Sequence, residues 1–243
     1  MSLHENYIYP EELRVKNHTN ETFYQDLKQV VSKLHVVMED SSSLEMMFFN
    51  SPVDLNIELS KDSKLTIYNV YLKDESVKIN INIDILGENS NVEVINVYLT
   101  RQNNNLESNI FINHKALYTN SELETYAIGK DKAHMVLNNN AYIYNGMHQS
   151  KAKQATKGLT LSKDAKITAQ PNLFIDEYDV EASHSAAIGS VNKEDLFYLM
   201  SRGLTVKEAE EMIVLGFIQP VLANIQNEKL KEEINNEFIK VLK

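Results

Sequence analysis

Chemistry in this chain has to come from few side-chain types. Among 243 residues there is no cysteine, so a disulfide framework and a thiolate nucleophile are both excluded. Any metal or cluster would need His, Asp, Glu or a ligand from another chain. One histidine has suggestive surroundings. His184 sits among Ala182, Ser183, Ser185, Ala186 and Ala187, and such small neighbours leave an imidazole accessible and allow a second chain to approach. The alternative is a structural imidazole bonded to backbone. Upstream, Asp176, Glu177, Asp179 and Glu181 crowd the same stretch. Carboxylates and an imidazole together bind iron or another divalent ion. Alternation, however, puts Glu177, Asp179 and Glu181 on one face and Asp176 with His184 on the other, so a solvated acidic face accounts for most of them.

Other sites are weaker. His114, His134 and His148 have no metal-binding spacing, and surface or core roles suffice. There is no glycine-rich phosphate loop, no Walker lysine and no Gly-x-Ser-x-Gly elbow. Glycoside cleavage needs paired carboxylates, which strands could supply, so a carbohydrate-binding or cleaving solenoid stays open as an alternative. The formal net charge of -10 argues against nucleic acid and against anionic lipid as the main partner. No apolar run reaches membrane-span length, and a cytoplasmic protein is the expectation.

Three blocks must position these residues. Residues 1–34 read as a lead-in with one helix over Glu21–Leu34, because Phe23, Leu27, Val30, Val31 and Leu34 fall at helical spacing. Residues 35–185 read as a β block. Val53, Leu55, Ile57 and Leu59 alternate with polar residues, as do Val77, Ile79, Ile81, Ile83 and Ile85. Lys64–Leu72 and Asn91–Leu99 are near-repeats, each preceded by a serine (Ser63, Ser90). Self-similar strands joined by polar turns suggest stacked solenoid coils, with a β-sandwich as the alternative. His184 falls where this block gives way to helices. Residues 186–243 form a helical domain. Asn192 caps one helix, Thr205 with Glu208 makes a capping box for the next, and Leu230, Ile234, Phe238 and Val241 stripe the last. Three short helices cannot bury their own apolar faces, so Ile213, Phe217, Leu230 and Ile234 are candidates for core or for docking another protein.

Residues 181–204, which contain Ser183-His184-Ser185-Ala186 and Leu196-Phe197-Tyr198-Leu199-Met200-Ser201-Arg202-Gly203, resemble the SufB/SufD family of iron–sulfur cluster assembly proteins. Glu208 to Phe217, Tyr144-Asn145-Gly146, residues 158–162 and residues 164–173 extend the similarity. The resemblance implies a mainly β protein: a right-handed parallel β-helix with a small C-terminal helical domain. It implies a non-catalytic subunit of the SUF complex that pairs with a SufB-type scaffold and docks the ATPase SufC through its C-terminal helices. No cofactor is then held stably, and a transient cluster or iron would sit at the subunit interface with His184 as its ligand on this chain. Two departures stand out. The lead-in is short beside the N-terminal helical domain of typical SufD. The positions where the SufB branch carries a cysteine and a glutamate hold Thr156 and Ser185. This favours the SufD side, and it leaves open a homodimeric scaffold working with SufC alone.

Overall fold

The computed structural model describes residues 12–26, 33–225 and 228–242. Among the described residues fourteen strands alternate between two parallel sheets: β1 (Glu12–Val15), β2 (Asn20–Asp26), β3 (Leu34–Met38), β4 (Ser43–Phe49), β5 (Asp54–Leu59), β6 (Lys64–Tyr71), β7 (Val77–Ile85), β8 (Asn91–Thr100), β9 (Asn105–His114), β10 (Asn120–Gly129), β11 (His134–Ile143), β12 (Lys151–Thr160), β13 (Lys166–Ile175) and β14 (Glu181–Ser190). Odd strands stack as β1-β3-β5-β7-β9-β11-β13 and even strands as β14-β12-β10-β8-β6-β4-β2. We call these sheet A and sheet B. One coil is an odd strand, a corner and an even strand, so this is a parallel β-solenoid. The near-repeat noted in the sequence is two successive coils in register, with Lys64 beside Asn91 and Tyr71 beside Tyr98 on β6 (Lys64–Tyr71) and β8 (Asn91–Thr100).

A solenoid needs a turn that repeats. Two residues before β2, β4 (Ser43–Phe49), β6, β8, β10 (Asn120–Gly129) and β12 (Lys151–Thr160) stand His18, Ser41, Asp62, Asn89, Tyr118 and Gln149, all at φ between 55° and 60°. This left-handed conformation suits short polar side chains best. Each corner is tied to the next coil: the Ser41 amide donates to the Lys61 carbonyl at 2.7 Å, and the Asp62 amide to Glu88 at 2.9 Å. One residue further on, Ser42, Ser63, Ser90, Thr119 and Ser150 form a buried hydroxyl column. Gly87 follows β7 (Val77–Ile85) and lies so close to the preceding coil that a Cβ would fall 2.0 Å from the Lys61 nitrogen.

The core lies between the sheets. Leu55, Ile57 and Leu59 of β5 (Asp54–Leu59), Ile79 to Ile85 of β7, and Met46, Ile67 and Val94 of sheet B fill it. Alternation thus does what the sequence implied for sheet A. Sheet B differs, because β6 and β8 are buried on both faces over most of their length. Their outward Tyr68, Val70, Ile95, Val97 and Leu99, with Tyr126 and Ile128 of β10, receive the helices. Helix α1 spans Lys193–Ser201, α2 Val206–Asn224 and α3 Glu228–Leu242. Asn192 caps α1 and the Thr205–Glu208 capping box opens α2, as read from the sequence. Pro220 lies inside α2, which continues to Asn224.

One expectation is corrected. Residues 20–26 are strand β2, not the first half of a helix over 21–34. Phe23 is a core residue registered on Met46 of β4, and pairing with a neighbouring strand overrides the helical spacing. Residues 27–32 and 1–11 lie outside the described residues.

Two stability predictions follow from this core. Ile83 is fully buried, so Ile83→Ala should cost roughly 2–5 kcal/mol in denaturant unfolding. His114 is also fully buried, with Nδ1 2.8 Å from the Thr119 hydroxyl and Nε2 2.8 Å from that of Ser121. Burial pushes its pKa down to about 4. The unfolded chain therefore binds this proton first as pH falls below the ordinary histidine value. Stability from the neutral ring is complete above about pH 6.5 and is lost down to about pH 4, by roughly 3 kcal/mol in all. His114→Gln should flatten the slope of unfolding free energy over that window, measured by urea titration at a series of pH values.

Candidate functional site

The site lies at the end of the solenoid that β13 and β14 form. His184 is in the middle of β14, not at a strand–helix junction. Its register fixes where its side chain projects. The column Phe23–Met46–Ile67–Val94–Leu123–Gln154–His184 runs strand by strand through sheet B, and its first five members belong to the core. His184 therefore continues the inward column, on a coil that the described residues leave uncovered. All ten residues of β14 are exposed, whereas Gln154, one coil back, is 2 % exposed.

The floor beneath His184 is polar. The next inward column reads Phe48, Asn69, Asn96, Thr125, Thr156 and Ala186. Asn96 Nδ2 donates to the Thr125 hydroxyl at 3.2 Å, and Asn139 Nδ2 of β11 (His134–Ile143) donates to the Thr156 hydroxyl at 3.0 Å. Asn69 and Asn139 each keep a buried side-chain oxygen without a partner. Burying such a group costs free energy, so a greasy core has been given up toward this end. Thr156 is buried within this column, and Ser185 is exposed on β14.

The acidic stretch divides differently from the sequence expectation. Asp176 and Glu177 lie in the turn between β13 and β14, so strand parity does not relate them to His184. Glu177 is nearly buried. Its carboxylate accepts the backbone amides of Gly146 at 2.8 Å, Tyr178 at 2.7 Å and Asp179 at 3.2 Å, and His148 Nδ1 stands 3.2 Å away. The Asp179 and Gly146 amides, then that of Tyr178, hold its carboxyl below the usual carboxylate range. It acts as a staple between successive turns. Asp176 accepts the Tyr142 hydroxyl. Among the described residues no three His, Asp or Glu side chains group as a metal site. A metal at His184 would take its remaining ligands from elsewhere.

The helical candidates are mostly turned inward. Ile234 is 1 % exposed in the core between the helices and sheet B. Phe217 packs edge-on against Tyr126, with ring centroids 5.7 Å apart, and Ile213 is half-buried in the same cluster. The side chain of Leu230 lies outside the described residues. The outer face of sheet B attracts these residues because it is itself apolar. The large apolar side chains exposed on the described helices are Phe197, Tyr198 and Met200 of α1 with Val206 and Met212 of α2, none of which the sequence reading named as a docking candidate. Adjacent Phe197 and Tyr198 in a nine-residue helix were the available signal, since helix geometry cannot turn both toward one neighbour. Gln154 was missed too, because only the register reveals it under His184.

Residues 25–217 match the family model described as SUF system FeS cluster assembly, SufBD core domain. The chain is 38% identical over 109 residues to the iron–sulfur cluster assembly protein SufD of Bacillus subtilis, covering 45% of this chain and 25% of that one. It is 24% identical over 176 residues to SufD of Escherichia coli, covering 72% and 42%. It is 25% identical over 213 residues to an iron–sulfur cluster assembly SufBD family protein of Mycobacterium tuberculosis, covering 82% and 54%. The matches thus take in a quarter to about half of these relatives' length.

The staple gives a prediction. Glu177→Gln should loosen the last turn, seen as faster hydrogen exchange at the Gly146 and Asp179 amides. Because the Glu177 carboxyl titrates below its ordinary value, the ionised staple contributes above that value, and its contribution fades as pH falls through the lowered one. Wild type and variant should therefore converge in acid.

Proposed function

The chain belongs to the SUF iron–sulfur cluster assembly family defined by the SufBD core domain, and from that premise we propose that it is a non-catalytic scaffold subunit that pairs end to end with a second solenoid. The partner is a SufB-type chain or a second copy of this one. The observation that carries the reading is the uncovered end. Ile143, Ala152 and Gln154 are buried, while Ile175, Ala182 and His184, which follow them in the same columns, are exposed. A buried column that stops at an exposed one is what a core looks like where a partner completes it.

His184 is the residue of this chain that meets the nascent cluster. An imidazole supplies one nitrogen ligand, and the cluster, as cargo, takes its other ligands from the partner or from sulfide. The polar floor of Gln154 and Thr156 suits a charged cargo better than an apolar one would. The helical end docks the ATPase SufC. Phe197, Tyr198, Met200 and Met212 supply exposed apolar surface, beside a groove of about 340 Å³ lined by Leu204, Glu208, Glu211, Met212 and Leu215. Work in the cytoplasm is part of the same proposal. Among the described residues no helix is long and apolar enough to cross a membrane.

The test is co-expression of the tagged chain with the SufC and SufB-type proteins of its organism. A complex with SufC, containing either the SufB-type chain or two copies of this one, is expected; a lone monomer sinks the proposal. Within that complex His184→Ala should leave composition unchanged and lower the yield of reconstituted cluster at least tenfold, read from its visible absorption. Unchanged yield would remove His184 from the site.

A further inference from the structure

The solenoid has a second free surface, away from its helices. It is the edge where odd strands turn into even ones. The helices pack on the C-terminal halves of the sheet B strands, from Phe49 and Val70 to Leu159, which lie toward the opposite edge. Three successive turns at the free edge each expose a tyrosine: Tyr118 between β9 and β10, Tyr144 between β11 and β12, and Tyr178 between β13 and β14. Two coil steps separate Tyr118 from Tyr178, about 10 Å along the stack. The row therefore runs along the side of the solenoid rather than across its open end.

Two of these rings are displayed against the grain of the backbone. Tyr118 has φ 58°, where the equivalent corners carry His18, Ser41, Asp62, Asn89 and Gln149. A bulky side chain is strained there, and such strain persists where function requires it. Packing does not explain it. The ring is 50 % exposed, it belongs to no core cluster, and among the described residues its side chain makes no hydrogen bond or ring contact. Tyr178 is 100 % exposed, on a turn that is fixed from several sides. Besides the Glu177 staple, the Asp176 amide donates to the Ile143 carbonyl at 2.9 Å, Asn145 Nδ2 to the Asp176 carbonyl at 3.1 Å, and the Gln149 amide to the Asp179 carbonyl at 2.6 Å. A ring held in water on a rigid backbone loses little entropy when a partner buries it.

Charge indicates what covers the rings. Lys115 shows the mode within the chain. Its Nζ stands 5.8 Å from the Tyr144 ring centre and 2.9 Å from Asp84, a cation held by a ring and a carboxylate together. Tyr178 has the ring and two carboxylates, Asp176 and Asp179, but among the described residues no cation. The nearby bases are engaged elsewhere: Lys115 with Asp84, Lys151 with Glu181 at 2.9 Å, and His148 with Glu177 at 3.2 Å. Asp176 and Asp179 accept from neutral donors only, the Tyr142 hydroxyl and the Gln149 side-chain amide.

We infer that this edge docks a protein other than the second solenoid and the ATPase, one whose contact surface sets arginine or lysine side chains around a small apolar group. The basic groups meet Asp176, Asp179 and the Tyr178 ring, and the apolar group packs against the row of tyrosines.

A minimal mimic of that surface is a fluorescently labelled Arg-Leu-Arg peptide, about 10 Å long when extended. Its polarisation should rise on titration with the whole chain, and a Glu-Leu-Glu peptide should not bind. Tyr178→Ala leaves the net charge unchanged and should weaken binding at least about tenfold. Tyr118→Asn copies Asn89 of the preceding coil. It should weaken binding and leave the urea midpoint equal or higher, because asparagine tolerates the left-handed backbone. Absence of Arg-Leu-Arg binding, or equal binding of the acidic peptide, overturns the inference. So does undiminished binding by Tyr178→Ala, which would mean attraction by charge alone. So does a lowered midpoint for Tyr118→Asn, which would make that ring a packing residue. In the complex with the SufC and SufB-type proteins the peptide should still bind; its exclusion there would give the edge to the complex's own contacts and overturn a separate partner. Failure of that complex to form sinks the pairing reading alone, because the free chain still decides this one.

Discussion

A parallel coil is complete only when another coil lies on each side of it. Its backbone donors and acceptors alternate in direction, half toward one neighbour and half toward the other, and its inward side chains need a layer above and a layer below. Every other feature of this molecule follows from that condition. It explains why strands as polar as β9 to β11 are stable, since the ladder and the amide stacks satisfy them together: Asn138 on Asn109 at 2.7 Å, and Asn109 on Asn80 at 3.2 Å. It also makes the last coil exceptional. There the condition fails on one side, and the residues of β14 that face the gap include Ala182, His184, Ala186 and Ile188.

The interior changes character on the way to that gap. Early coils are filled by Leu44, Met46 and Phe48 against Leu55 and Ile57. Later ones hold Asn96, Thr125, Asn139, Gln154 and Thr156, with the Asn139 amide oxygen unpartnered. Such a column sacrifices stability. It is intelligible where polar cargo is handled at the end and anomalous anywhere else.

Much of this was legible in the residues. The alternation of β5 and β7 and the pair Lys64–Leu72 and Asn91–Leu99 disclosed stacked coils, because period two and coil length both leave marks in the chain. Asn192 and Thr205–Glu208 marked the helix starts, since capping is local chemistry. What was lost depends on neighbours. Phe23 to Leu34 has helical spacing, yet strand β2 forms where β4 offers a partner. The acidic residues before His184 were assigned faces by parity, and the turn at Asp176 to Asp179 breaks that count. Ile234 and Phe217 looked spare until the outward Tyr126, Val97 and Val70 of sheet B gave them somewhere to go. The depth of Gln154 and Thr156 could be known only from register.

The placement of α2 and α3 has one more consequence. A stack of coils with nearest-neighbour contacts alone comes apart piecemeal, fraying from either end as a one-dimensional lattice does. Here α2 and α3 share one buried cluster with outward residues of sheet B from β4 through β12, from Met47 and Phe49 to Leu159. They act as a splint. Coils bridged by a splint must melt together, so the middle of the molecule behaves as one cooperative block, and thermal energy that would otherwise nibble at every coil is channelled to the few residues outside its reach. Fluctuation is thereby pushed to the two ends of the stack, β1 and β2 on one side and the strand that carries His184 on the other, while the middle of the scaffold holds its shape.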